Sequence, residues 1–198
     1  MSKLKSFFQN KTVKLIYTWL IVIAVGTIVV LTQFLFPLHI SYSGITLTTY
    51  SGESFQLNIK AQYDKLSDGE HKNSMLLSSA DFDMTREEDF LRVAVSFNFN
   101  NIGMYKINDI QFKIEDIGQH ADAFVYKEAN VAEINRFSYN TVTLYFVICT
   151  KGLTNEEVQQ AVNSIKLSYS FNRPELFPSG GEIELPQIIL PFEDIEKK

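Results

Sequence analysis

The feature that most limits what this chain can fold into is the run from Leu15 to Phe36, "LIYTWLIVIAVGTIVVLTQFLF", 22 consecutive residues without a charge. At 1.5 Å per residue a helix of that length spans about 33 Å, which matches a hydrocarbon core of roughly 30 Å. The run predicts one membrane-spanning helix over 15–36, behind a basic segment, 1–14, that holds Lys3, Lys5, Lys11 and Lys14 and no acid. Tyr17 and Trp19 suit the interfacial belt, and no Lys or Arg follows the span until Lys60. The expected topology therefore has the N-terminus in the cytoplasm and everything after Pro37 outside, in a single-pass protein of the cell membrane. A cytoplasmic segment this short has no room for a signalling domain.

Two other readings fit the run less well. "SYSG" at 41–44 offers Ser41 and Ser43 to a signal peptidase, but the apolar core of a cleaved signal is about 7 to 15 residues long, well short of this one. A pilin-like subunit would continue as a long helical stalk, whereas Pro37 and Gly44 interrupt any helix here. Beyond residue 36 there are 14 basic residues against 23 acidic ones, a balance of −9, which excludes nucleic acid as a natural partner.

After a linker over 37–44, alternation with period 2 dominates, and it places every second side chain on one face of a strand. In "LRVAVSFNFN", Leu91, Val93, Val95, Phe97 and Phe99 point one way and Arg92, Ser96, Asn98 and Asn100 the other. The pattern returns in "FQLNIKAQY" at 55–63, "IQFKI" at 110–114 and "IKLSYSFN" at 165–172. Further strands are expected at 45–50, 123–126, 142–149 and 183–190, with "NNIG" at 100–103 as a turn between two strands and "DKLSDGEHKNS" at 64–74 as a loop. About eight short strands predict an all-β, antiparallel sandwich over 45–198.

One short helix interrupts them. In "GLTNEEVQQAVNSI", Thr154 can cap while Glu157 reaches back, and Val158, Ala161, Val162 and Ile165 recur at helical spacing. A helix bridging the strands at 142–149 and 165–172 resembles the crossover of some immunoglobulin-like domains, and the resemblance implies an immunoglobulin-like sandwich. The cysteine pair and core tryptophan of antibody domains are absent, since Cys149 is the only cysteine and Trp19 the only tryptophan. Cys149, within "TLYFVICT", reads as a strand thiol and allows no internal disulfide. With no Asn-X-Ser/Thr acceptor after residue 37, this points to a bacterial envelope.

The candidate chemistry is sparse. "DFDMTREED" at 81–89 packs five carboxylates together, but an EF-hand loop starting at Asp81 needs glycine at its sixth place and glutamate at its twelfth, where Arg86 and Arg92 stand. A calcium site of another kind would use Asp81 and Asp83; the competing expectation is a helical turn capped by Thr85 with Glu88 three places on. No nucleophile, metal or phosphate motif is present, and His39, His71 and His120 are scattered, so no enzyme and no cofactor are expected.

Tyr50, Tyr105, Tyr126, Tyr139 and Tyr145 are the candidates for a glycan or peptide platform, against packing within the sandwich. At the C-terminal end Pro186 and Pro191 bracket Ile188, Ile189 and Leu190. That segment is either the last edge strand or an apolar arm that pairs with a partner's open edge. The expectation is a non-enzymatic, membrane-anchored module for protein interaction or envelope assembly, with a ligand-binding ectodomain as the alternative and an anchored hydrolase third.

Overall fold

A computed structural model describes residues 11–35, 38–69, 74–130, 133–172, 180–183 and 185–192. Lys3, Lys5, Pro37, His71 and Glu184 lie outside the described residues. The apolar run forms helix α1, Lys11–Leu35, and none of its described side chains is buried by the rest of the chain. A helix apolar on all sides with no protein around it suits an apolar solvent, and this one is long and apolar enough to cross a membrane.

Strand β1, Leu38–Thr48, begins three residues after α1 ends, so 38–44 belong to the folded domain rather than to a linker. The reason is the length of β3, Phe90–Asn101: its edge is paired by β1 from Leu38 opposite Asn101 to Thr48 opposite Arg92. The other strands are β2, Ser74–Leu76; β4, Asn108–Asp116; β5, Phe124–Ala129; β6, Ser138–Cys149; β7, Lys166–Asn172; and β8, Gly180–Ile183. They form two antiparallel sheets, one of five strands in the order β1-β3-β6-β5-β2 and one of three in the order β4-β7-β8. The turn at "NNIG" leads from β3 to β4 and thus crosses from one sheet to the other.

The alternation in β3 is the spine of the core. Leu91, Val93, Val95, Phe97 and Phe99 are buried between the sheets, where Phe97 and Phe99 meet Phe112 of β4 at 6.1 and 5.9 Å. Each such ring removed from water contributes about 2–3 kcal/mol, which sets the face of the strand beyond doubt of register. Helix α4, Asn155–Asn163, lies between β6 and β7 as its sequence predicts: Glu157 N donates to Thr154 Oγ1 and Thr154 N to Glu157 Oε2, with Val158, Ala161 and Val162 buried.

The stretch at 55–63 is helical, not a strand. Helix α2, Gly52–Phe55, runs through a π-helical turn, Gln56–Lys60, into α3, Ala61–Ser67, which also takes the start of the expected loop at 64–74. Phe55, Ile59 and Leu66 are buried, but Leu57 is 66% exposed, so the burial has helical spacing. These residues cover the outer face of the five-stranded sheet together with Met84, Phe90, Val125, Tyr126 and Val147. The segment 185–190, expected to be strand, is not one among the described residues. Its backbone is instead bound by side-chain amides of α4: Ile188 N donates to Asn163 Oδ1 at 2.9 Å, Leu190 N to Gln159 Oε1 at 2.6 Å, and both amide nitrogens donate to Ile188 O.

The sandwich has two unlike ends. At the near end, where α1 leads into β1, lie the turns β3–β4 and β5–β6; at the far end lie the helices and the acidic stretch.

Candidate functional site

Two sheets of unequal width end, on the same side, in strand edges that no described residue pairs. β1 ends the larger sheet and β8 the smaller, and between them is a groove of about 430 Å³ lined by Ile40, Tyr42, Phe97, Tyr169, Glu182 and Ile183. β1 has 11 residues whose outer edge no described residue pairs, and its only ionisable side chains are those of His39 and Tyr42. Natural edges of that length are guarded by charge or distortion. Here the guard is one register shift between Tyr42 and Gly44.

Two phenols line the groove. Burial raises the phenol pKa of both Tyr42 and Tyr169, so both remain neutral hydroxyls able to donate and accept. A larger cavity, about 860 Å³, continues past β8 and shares Glu182 and Ile183 with the groove while adding Glu115, Asp116, Asn163 and Lys166. Backbone donors and acceptors that no described residue pairs, beside a groove of mixed lining with two hydroxyls and one carboxylate, suit an extended peptide.

The acidic stretch is spent on local structure. Asp83 Oδ1 accepts from Thr85 N at 3.1 Å and Thr85 Oγ1 at 2.6 Å, which holds its carboxyl below the ordinary range. Thr85 therefore caps nothing; the turn is a 3-10 helix, Glu87–Asp89, with Arg86 at its N-cap, which corrects the expected Thr85–Glu88 pairing. Glu87 Oε2 accepts from Gly52 N at 2.7 Å, so a carboxylate 35 residues away satisfies an orphan amide at the start of α2. Arg86 pairs with Glu88 and Asp89 at 3.5 and 3.1 Å. Asp81 is exposed, and among the described residues no group of three or more His, Cys, Asp or Glu gathers as a metal site.

The apolar triplet is divided. Ile188 and Leu190 are buried against α4, and Ile189 alone points outward, 85% exposed. Of the five tyrosines, Tyr126 is buried, its hydroxyl donating to Asn58 O at 3.1 Å and its pKa pushed up by burial. Tyr50 and Tyr145 flank Arg92, whose Cζ lies 5.9 and 3.9 Å from their rings. Tyr105 and Tyr139 are exposed at the near end, so the five form no common platform. Cys149 is a half-buried free thiol on the outer face of β6.

Sequence reasoning missed three residues. Lys127 is buried and its ammonium donates to Phe112 O in the opposite sheet. Arg92 spans the outer sheet face, donating to Tyr50 Oη at 2.9 Å and pairing with Glu128 at 3.5 Å. Asn101 is fully buried and ties the two near-end turns together. Lys127 and Arg92 reach partners 15 to 42 residues away in sequence, beyond any local pattern, and Asn101 adds to its near bonds with Gly103 and Tyr105 two that reach 33 and 34 residues on.

No protein-family model matches the chain, and no curated protein is significantly similar to it.

Proposed function

We propose that this chain is a single-pass, membrane-anchored interaction module, an immunoglobulin-like domain held outside the cytoplasm by α1, that binds an extended segment of a protein partner in the envelope or at the surface. The immunoglobulin-like reading is supported by strand order. β1-β3-β6-β5 opposite β4-β7-β8 corresponds to A-B-E-D opposite C-F-G, with β2 added beside β5 and α4 as the E–F crossover. The lysines before the span and the absence of Lys or Arg between 15 and 59 support the orientation.

The open edge of β1 carries the functional reading. A partner strand added there would gain backbone hydrogen bonds along an 11-residue strand and set alternate side chains into the groove at Ile40, Tyr42, Phe97 and Tyr169. The C-terminal arm, by contrast, is already occupied by its own α4 and offers only Ile189.

The test is site-specific photo-cross-linking of the full chain in its native membrane. A photoreactive residue replacing Tyr42 is expected to give a discrete adduct, weakened when Ile40→Lys is added to the groove, while the same probe replacing Lys113 on β4 gives none. Recovery of monomer alone from the Tyr42 position would sink the proposal.

A further inference from the structure

Among the described residues, eight large apolar or aromatic side chains are exposed on the domain that follows α1, and five of them, Ile102, Met104, Tyr105, Phe137 and Tyr139, share the near end, each 40–77% exposed. Ile102, Met104 and Tyr105 sit on the turn between β3 and β4, Phe137 immediately precedes β6, and Tyr139 is the second residue of β6, opposite Asn100. Turn tips ordinarily carry small polar residues, so this composition calls for a cause.

The turns form one rigid platform. Asn101, at the end of β3, donates from Nδ2 to Tyr105 O at 2.7 Å, Asn135 O at 3.0 Å and Ile134 O at 3.4 Å, and its Oδ1 accepts from Gly103 N at 2.9 Å. Ile107 and Ile134 add a two-way backbone bridge at 2.9 and 3.0 Å, and Lys106 pairs with Glu133. Phe137 holds a left-handed backbone, φ 52°, which strains a residue with a Cβ. Its side chain is 62% exposed.

The platform's distance from α1 is bounded by the chain itself. Asn101 pairs with both Leu38 and Ser138, and Leu38 follows Leu35 by three residues, at most about 11 Å of extended chain. Headgroup and interfacial layers add roughly 5–8 Å on each side of a hydrocarbon core. If α1 fills that core, the tether is short enough for the near end to reach the headgroup layer on whichever side the domain stands.

Resting on the reading of α1 as a membrane anchor, we propose that Ile102, Met104, Tyr105, Phe137 and Tyr139 enter the interfacial layer of the bilayer that holds α1, seating the sandwich on the membrane with β1's open edge running outward. Tyrosine and phenylalanine are the residues that prefer that depth, and Arg136 between the tips can place its guanidinium among lipid phosphates. The far end, with its carboxylates, would be repelled there. Leu57 and Ile189, also exposed, lie at that far end and act as internal controls.

The full chain, reconstituted in phosphatidylcholine vesicles with acyl chains brominated near the headgroup, tests this. In a Trp19→Phe background, the indole introduced by Tyr139→Trp is expected to be quenched at least about threefold more strongly than that introduced by Leu57→Trp. Equal, weak quenching at both positions overturns the proposal. The unaltered chain separates the two readings: if Trp19 is quenched while the indole at 139 is not, the anchor stands and the docking fails, and if neither is quenched both fail. Phe137→Gly guards against misfolding as an explanation, because glycine tolerates the left-handed backbone. It is expected to keep or raise the Tm while lowering quenching at position 139; a lowered Tm with unchanged quenching would assign Phe137 to folding alone and overturn its part in docking.

Discussion

The two ends of the sandwich are held together in opposite ways. At the near end a single buried amide, Asn101, makes four hydrogen bonds to the two turns, beside one backbone bridge and one ion pair. At the far end, order comes from many exposed and separate contacts: Glu87 on Gly52, Asp83 on Thr85, Arg86 between two acids, and Glu157 on Thr154. A buried hub leaves several polar groups unsatisfied when it is lost, whereas an exposed contact exchanges at little cost for water. The near end is thus brittle and the far end redundant.

That contrast is most sharply tested by Asn101→Ala, expected to cost about 2–3 kcal/mol in urea unfolding, because the bonds to Tyr105 O, Asn135 O and Gly103 N are lost together while Ile134 O keeps the amide of Ile107. A loss below about 1 kcal/mol would show that water enters and replaces the amide, and the near end would then be no more brittle than the far one.

The C-terminal arm comes next. Ile188→Ala is expected to cost about 2–3 kcal/mol through cavity formation, and Ile189→Ala less than about 0.5 kcal/mol. Equal, small effects at both positions would mean that the arm detaches readily from α4 and is available to a partner after all.

Much of the layout was legible in the sequence, for reasons that are local. β3, β4 and β7 alternate in sequence because one face is buried between sheets, β6 shows less alternation because Phe146, Val147 and Ile148 are all buried, and α4 announces itself through Thr154, Glu157 and its helical spacing. Residues 55–63 misled because Phe55, Ile59 and Tyr63 belong to both periods: they are every second strand position and also every fourth helical one. The discriminating signals were Leu66, seven places beyond Ile59, and the start at Ser51, whose amide donates to Ser54 Oγ. The arm looked like a strand because Ile188 and Leu190 do alternate. What replaces strand pairing there is the pair of amides on α4, Gln159 and Asn163, and nothing in the arm itself encodes them. The open edge of β1 was equally hidden, since being outermost is a property of strand order and not of any one strand.

A smaller effect is expected from pH. Hydrogen bonds from Thr154 N, then from its hydroxyl, lower the folded pKa of Glu157. A depressed carboxylate contributes stability that is complete above its unfolded value, about 4.3, and is lost as pH falls through the folded value. Glu157→Gln keeps a capping partner but cannot titrate, so its Tm should fall less steeply than the parent's between about pH 5 and pH 3. Parallel curves would show that α4 does not depend on this charge.

The smallest effect should come from the acidic stretch, where the sequence is most suggestive and the geometry least so. Asp83→Ala removes two hydrogen bonds, both at the surface, and is expected to cost under about 1 kcal/mol. Calcium at millimolar concentration should leave the Tm unchanged, because binding that shifts stability requires oxygens converging on one point. Here Asp83 faces Thr85, Glu87 faces Gly52, and Glu88 and Asp89 face Arg86. A calcium-dependent rise in Tm that disappears in Asp81→Ala would reverse this, since Asp81 is the one carboxylate of the five with no described partner. The stretch would then be a metal loop, and the far end would have a hub of its own.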